Sequence, residues 1–214
     1  MDLKLTNKNI LVVGGGRNSY KKVIKFLEEG SRITVCSKSF SKGFKKLSAE
    51  GKISLIKADV KDAGQFITNL NPKPDILVAA TNDQTLNAEL AVRAKATGCI
   101  VYVIDNPSIS DFSLPAVAKI GDVRVAISTG GRSPAVARAL RIRIEKMVKP
   151  EDLLQIQLQY QIRDILKKQV ADYKTRRQIV YSILRDMHIK ELLKLGKLEE
   201  ALSEAFKIIE AHIS

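Results

Sequence analysis

Ile10-Leu11-Val12-Val13-Gly14-Gly15-Gly16-Arg17-Asn18-Ser19 is the stretch that decides the fold. Its four leading apolar residues, three of them β-branched, predict a strand buried on both faces. Three glycines follow, then an amphipathic run from Tyr20 to Glu29 that stops at Gly30 and predicts a helix. Strand, glycine turn and helix in this order suit a dinucleotide. Glycine leaves room for the pyrophosphate, and the free N–H groups at the helix start point at it. Gly14 and Gly16 take the first two places of G-x-G-x-x-G, with Ser19 in the third, where a small residue lets helix and strand pack closely. Arg17 and Asn18 lie inside the same turn. A purely structural turn would use the same glycines. The strand before them and the helix after them favour the dinucleotide.

The chain continues as β-α-β. Arg32 to Cys36 predicts a second strand, whose end in such folds often carries an acid for the adenosine ribose. Ser37 and Lys38 stand there instead, with no acid before Glu50. A Ser37 hydroxyl could serve the ribose, and Lys38 could tolerate a 2′-phosphate, so NAD and NADP both remain open at this point. Residues 52–57 predict a short third strand, and 64–70 a short helix stopped by Asn71-Pro72-Lys73-Pro74. Asp75 to Ala80 is the next buried strand, and it ends in Thr81-Asn82-Asp83. Ligands of open parallel sheets lie beyond the carboxyl ends of strands, so Thr81 and Asn82 are candidate cofactor contacts. Short polar residues there also suit helix capping. A helix follows from Gln84 to Thr97.

Cys99 to Ile104 predicts the last strand of this sheet, ending at Asp105 before Asn106-Pro107. Asp105 is thus a carboxylate at the sheet's mouth. Partial desolvation would raise its pKa and suit it to proton transfer, whereas the bland alternative is a turn-forming Asp. Residues 116–120 and 123–128 then predict two short strands around Gly121-Asp122. Such a pair is stable only when its apolar face is covered, and a second subunit is a natural cover. In Ser128-Thr129-Gly130-Gly131-Arg132-Ser133-Pro134, Ser133 is a good N-cap and Pro134 suits the first helical position. Gly130, Gly131, Arg132 and Arg138 also make an anion site plausible on chemical grounds. From Pro150 to the end only helical spacing appears.

These patterns predict an α/β chain in three parts. A Rossmann-like parallel-sheet domain spans 1–113, a β-hairpin and helix segment 114–149, and an all-α domain 150–214. With 214 residues and 45% hydrophobic content, a packed core is expected. No apolar run reaches the ~20 residues of a membrane span, and Met1-Asp2-Leu3-Lys4 lacks the apolar core of a signal peptide. Cys36 and Cys99 both fall in predicted buried strands; a reduced, cytoplasmic protein with two free thiols is expected, with a disulfide between them the alternative. No Cys/His cluster has metal-ligand spacing, so no metal site is expected.

The net charge is +13. Residues 1–142 hold 22 Lys and Arg against 12 Asp and Glu, so the excess is expected to belong to the dinucleotide domain and its neighbour. A basic surface attracts polyanions: nucleic acid, dinucleotide or a polycarboxylate. With five Tyr, six Phe and no Trp, and no basic–aromatic interleaving, nothing but charge supports nucleic acid.

Several segments together resemble one family, the precorrin-2 dehydrogenases of siroheme synthesis. They are Val13-Gly14-Gly15-Gly16 with Lys22, Ala79-Ala80-Thr81-Asn82-Asp83 with Leu86-Asn87, Asp105-Asn106-Pro107, Asp111-Phe112 with Leu114-Pro115-Ala116, and Ile127 to Pro134 with Ala137-Arg138. The chain departs from that pattern at Arg17 to Tyr20, where small apolar residues are more usual. The resemblance covers about residues 5–150 well and the tail in outline. It implies a homodimer, NAD as cofactor, and precorrin-2, a tetrapyrrole with eight carboxylates, as substrate. It further implies oxidation to sirohydrochlorin, with Asp105 as base and Ser128, Gly130, Gly131, Arg132, Ser133 and Arg138 on the substrate side. Arg141 joins them as a carboxylate contact. Some family members also insert ferrous iron, and the sequence leaves that open. The competing class is a domain that senses a dinucleotide without reacting it, which would need the glycine turn but not Asp105.

Overall fold

Alternate residues of the first strand face two different cores, and that alternation organises the N-terminal half. The computed structural model describes residues 4–213; Met1, Asp2 and Leu3, on which the signal-peptide expectation rests, lie outside them. The chain divides into two units, Met1–Leu114 and Pro115–Ser214.

In the first unit the elements run β1 (Asn9–Val13), α1 (Arg17–Leu27), β2 (Arg32–Ser37), α2 (Lys42–Ala49), β3 (Ser54–Lys57), α3 (Ala63–Thr68), β4 (Ile76–Ala79), α4 (Gln84–Ala96) and β5 (Ile100–Val103). A 3-10 turn, Pro107–Ile109, follows. The five strands form one parallel sheet in the order β3-β2-β1-β4-β5. Ile10 and Val12 face Val23 and Phe26 of α1 and Phe44 and Leu47 of α2. Leu11 and Val13 face Ile67 of α3 and Leu90, Ala91 and Ala94 of α4. A sheet covered on both faces explains why its strands read as continuous apolar runs. Phe26 and Phe44 are almost wholly buried, and truncating either to Ala would cost roughly 3–5 kcal/mol.

The order of strands reverses at β1, because β2 and β3 extend to one side and β4 and β5 to the other. Ligands of doubly wound sheets bind at such a switch point. The glycine turn therefore lies where the sheet topology places a ligand.

In the second unit β6 (Ala116–Ile120) and β7 (Val123–Ile127) pair antiparallel around Gly121-Asp122, as expected of the two-residue turn. Gly121 has φ +52°, the left-handed region that favours glycine. Helix α5 (Pro134–Met147) packs on this hairpin. Helices α6 (Pro150–Gln169), α7 (Tyr173–Arg185), α8 (Met187–Lys194) and α9 (Leu198–Ile213) bury Leu158, Ile162, Ile179, Ile183, Ile189 and Ile209 in their own core. The hairpin, α5 and these four helices cluster as one compact unit.

Some local expectations differ from what is seen. Helix α1 begins at Arg17, immediately after the glycines, rather than at Tyr20. Cys99 lies one residue before β5, although it is buried as expected. Both cysteines are free; burial pushes the Cys36 thiol up and the Cys99 thiol up to about 11. Helix α2 has only two buried residues, Phe44 and Leu47, among lysines, and so leaves almost no periodic signal. No helix among the described residues is long and apolar enough to cross a membrane.

Candidate functional site

The parallel register brings the strand ends to one level. Val13 pairs with Cys36 and with Ala79, and Ala79 with Val103. Gly14, Ser37, Ala80 and Ile104 therefore follow along one rim, and the glycine turn, Thr81, Asn82 and Asp105 all belong to it.

The three glycines differ in what holds them. Gly14 has φ +126°, and a Cβ there would stand 2.1 Å from the Ala80 carbonyl oxygen. A Cβ on Gly15 would stand 2.0 Å from the Ser39 carbonyl oxygen. These two are required by the protein's own packing. A Cβ on Gly16 would meet nothing within 4 Å, although Gly16 is the N-cap of α1. Packing does not demand that glycine, and the open head of an 11-residue helix suits an anion. The arrangement fits a dinucleotide. Arg17 and Asn18 are exposed beside it. Ser19 is buried and donates its hydroxyl to Gly16 O at 2.9 Å, so it serves the close packing of the turn rather than its open side.

The end of β2 is packed against the turn, with Ser41 N–H donating to Gly15 O at 3.1 Å. Ser37 is half-buried there. Lys38 is exposed and pairs with Asp59 at 2.9 Å. Asp59, from the segment after β3, thus stands beside the end of β2.

Across the switch point, Asn87 of α4 is fully buried and uses its whole amide. Its Oδ1 accepts from Thr81 N–H (3.0 Å) and from the Thr81 hydroxyl (2.7 Å). Its Nδ2 donates to Thr81 O (3.2 Å) and to Asp105 Oδ2 (3.1 Å). Helix α4 is capped by Asp83, which accepts from Leu86 N–H, so Thr81 and Asn82 are not its caps. The turn after β5 is likewise served by Asn106, which accepts from Ser108 N–H at 3.2 Å. Asp105 stands on the same rim, held by Asn87. It is exposed, which corrects the expected desolvation: β5 ends at Val103, and two further residues carry Asp105 out of the sheet.

Asp111 and Ser110 close the open edge of β5. Val101 N–H donates to Asp111 Oδ2 (2.8 Å) and Val103 N–H to the Ser110 hydroxyl (2.9 Å). The Lys95 ammonium beside Asp111 holds its carboxyl below the usual carboxylate range.

The remaining candidates lie in the second unit. Ser133 caps α5, accepting from Val136 N–H at 3.3 Å, and its own N–H donates to the Thr129 hydroxyl at 3.1 Å. Gly130 and Gly131 have φ +60° and +77°, with open space where a Cβ would be. Ser128, Arg132 and Arg138 are exposed, whereas Arg141 is paired with Glu145 at 2.6 Å. Counted by unit, residues 1–114 hold 17 Lys and Arg against 11 Asp and Glu, a net of +6. Residues 115–214 hold 19 against 12, a net of +7, so the charge is shared between the units rather than concentrated in the first.

A cavity of about 540 Å³ lies at the opposite end of the sheet, lined by Asn9, Arg32 and Ser54 among others and by none of the candidate site residues. Among the described residues no group of three or more His, Cys, Asp or Glu could hold a metal ion.

Residues 1–116 match a family described as "Putative NAD(P)-binding". A precorrin-2 dehydrogenase of Methanosarcina barkeri is 28% identical over 212 residues, covering 99% of this chain and 93% of that one. A siroheme synthase of Psychromonas ingrahamii is 29% identical over 205 residues. There the match covers 94% of this chain but only 41% of the relative. Among solved structures, one titled SirC, precorrin-2 dehydrogenase, superposes with a TM-score of 0.75 at 25% identity, covering 97% of this chain and 98% of that one.

Proposed function

This chain belongs to the NAD(P)-binding family, and from that premise we propose that it is an NAD-dependent precorrin-2 dehydrogenase, oxidising precorrin-2 to sirohydrochlorin in siroheme biosynthesis. The observation that carries the proposal is the shared rim. An anion-ready helix head stands at β1, and a carboxylate, held by a buried amide, stands at β5. A domain that only senses a dinucleotide has no use for the second feature.

Bound here, NAD would supply the hydride acceptor. Gly16 and the first N–H groups of α1 would hold the pyrophosphate, with Arg17 and Asn18 beside it. Ser37 and Lys38 would serve the adenosine half, and Thr81 and Asn82 the nicotinamide half. Asp105 takes up a proton lost as conjugation is completed, and Asn87 fixes the carboxylate that receives it. Because Asp105 is exposed, the bound macrocycle is what covers it. In the second unit, the exposed guanidinium groups of Arg132 and Arg138 suit carboxylates, and Ser128, Gly130, Gly131 and Ser133 shape the loop beside them.

The working form is a homodimer built on residues 114–149. Only one residue of α5, Ala137, is buried, while Val136, Ile142 and Met147 are exposed. Such a helix calls for a partner. Two buried, free thiols fit a reducing cytoplasm.

The test is direct. The protein is mixed with NAD and anaerobically prepared precorrin-2, and the absorbance of NADH and of the more conjugated product is followed. Formation of both supports the proposal. NAD binding without reduction points to the sensing role instead. A parallel arm with ferrous iron reports whether metal insertion accompanies the oxidation.

A further inference from the structure

The tip of β2 lacks the acid that usually receives the adenosine ribose, yet the fold supplies one from the next strand. The β2–β3 pairing runs on past the strands, with Ala58 N–H donating to Ser37 O at 3.2 Å. Asp59 therefore emerges beside Ser37-Lys38. Its Oδ1 is 2.9 Å from Lys38 Nζ, and its Oδ2 is 3.8 Å from Lys61 Nζ. The same tip touches the glycine turn, since a Cβ on Gly15 would come within 2.9 Å of the Ser37 hydroxyl oxygen. β2 and β3 lie on the side of β1 away from Asp105, where the adenosine half of a dinucleotide rests.

Resting on the dinucleotide function proposed above, we propose that Asp59 is the cofactor-selecting residue, favouring NAD and rejecting NADP. Its carboxylate can accept from a ribose 2′-hydroxyl. A 2′-phosphate would instead bring a second anion onto it and compete for Lys38 and Lys61. Selection then comes from the repulsive element as much as from the attractive one. Lys38 alone would suit a phosphate; Asp59 already occupies it. The side chains of Lys38 and Asp59 are 70% and 38% exposed, so substitution here tests charge rather than folding.

NADH and NADPH are titrated against the full chain by nicotinamide fluorescence. The unaltered protein is expected to bind NADH at least ~5-fold more tightly, the size of a charge–charge interaction at ~4 Å in a solvent-exposed setting. Asp59→Asn should shrink that ratio by about 5-fold, mainly through tighter NADPH binding. Lys38→Ala in the Asp59→Asn background should remove the gain. Equal affinities in the unaltered protein, or a ratio unmoved by Asp59→Asn, overturns the inference alone. Failure of both proteins to bind either nucleotide overturns the dinucleotide function with it.

Discussion

Asn87 Nδ2 lies 3.1 Å from Asp105 Oδ2 and donates to it from a side chain with no exposed surface. The same amide clasps the backbone of Thr81 through Oδ1 and Nδ2. One residue thus ties the ends of β4 and β5 together. Asp105→Ala is expected to keep NAD binding and lose turnover by at least ~100-fold, the usual scale for removal of a general base. Asn87→Ala should lower turnover by about 10-fold, and stability by roughly 1–3 kcal/mol, since Thr81 N–H loses its partner. If Asn87 acts through Asp105, the double variant turns over no more slowly than Asp105→Ala alone. Steady-state kinetics and thermal melts of the three variants check this. Additive losses in turnover would separate the two residues.

The glycine turn yields a sharper contrast. Gly14→Ala and Gly15→Ala would drive a Cβ to 2.1 and 2.0 Å from carbonyl oxygens, so both should fold poorly. Gly16→Ala faces open space and should melt within about 1 kcal/mol of the unaltered protein. Its NADH affinity should nevertheless fall by 10-fold or more, because the methyl occupies the space kept for the pyrophosphate. Unchanged NADH affinity in Gly16→Ala would remove the anion from the head of α1.

What was legible beforehand follows from which signals are local. Doubly covered strands leave continuous apolar runs, so β1 and β4 and the turn after β1 stood out. The hairpin at Gly121 and the cap at Ser133 were equally local. Asn87 belongs to a quoted segment, but its burial is hidden in the sequence, since a polar residue within a helix looks solvent-facing until the fold buries it. Asp59 was hidden because its meeting with Lys38 depends on strand pairing between segments that are distant in sequence. The apolar run through Ile104 suggests a partly buried Asp105, but the strand stops at Val103.

Helix α5 carries the prediction for assembly. Ile142 is 40% exposed on a helix that buries only Ala137. Ile142→Glu should leave the thermal melt of a monomer nearly intact, as surface changes usually do. In a dimer formed through this face it should raise the dissociation constant by at least ~10-fold, the effect of losing one well-buried interface residue. Sedimentation velocity across a concentration series reads the result. An unchanged association constant would move the dimer interface away from this face of α5.

The acid limb of stability should depend on Asp111. Its carboxylate accepts from Val101 N–H at 2.8 Å and lies 2.6 Å from Lys95 Nζ, an arrangement that holds its pKa below the usual value. A carboxyl that is more acidic in the folded chain than in the unfolded one stabilises the fold above its unfolded pKa of ~3.9. That contribution fades as pH falls through the lower, folded value. The side chains of Asp111 and Lys95 are 35% and 39% exposed, so solvent screening reduces the ion pair, and the expected loss for Asp111→Asn at pH 7 is about 1 kcal/mol. The difference between the two proteins should shrink between about pH 5 and pH 2 as the native carboxylate is protonated. Urea melts at pH 7, 4 and 2.5 measure it. A gap that stayed constant down to the lowest pH would show that Asp111 acts through packing at the edge of β5 rather than through its charge.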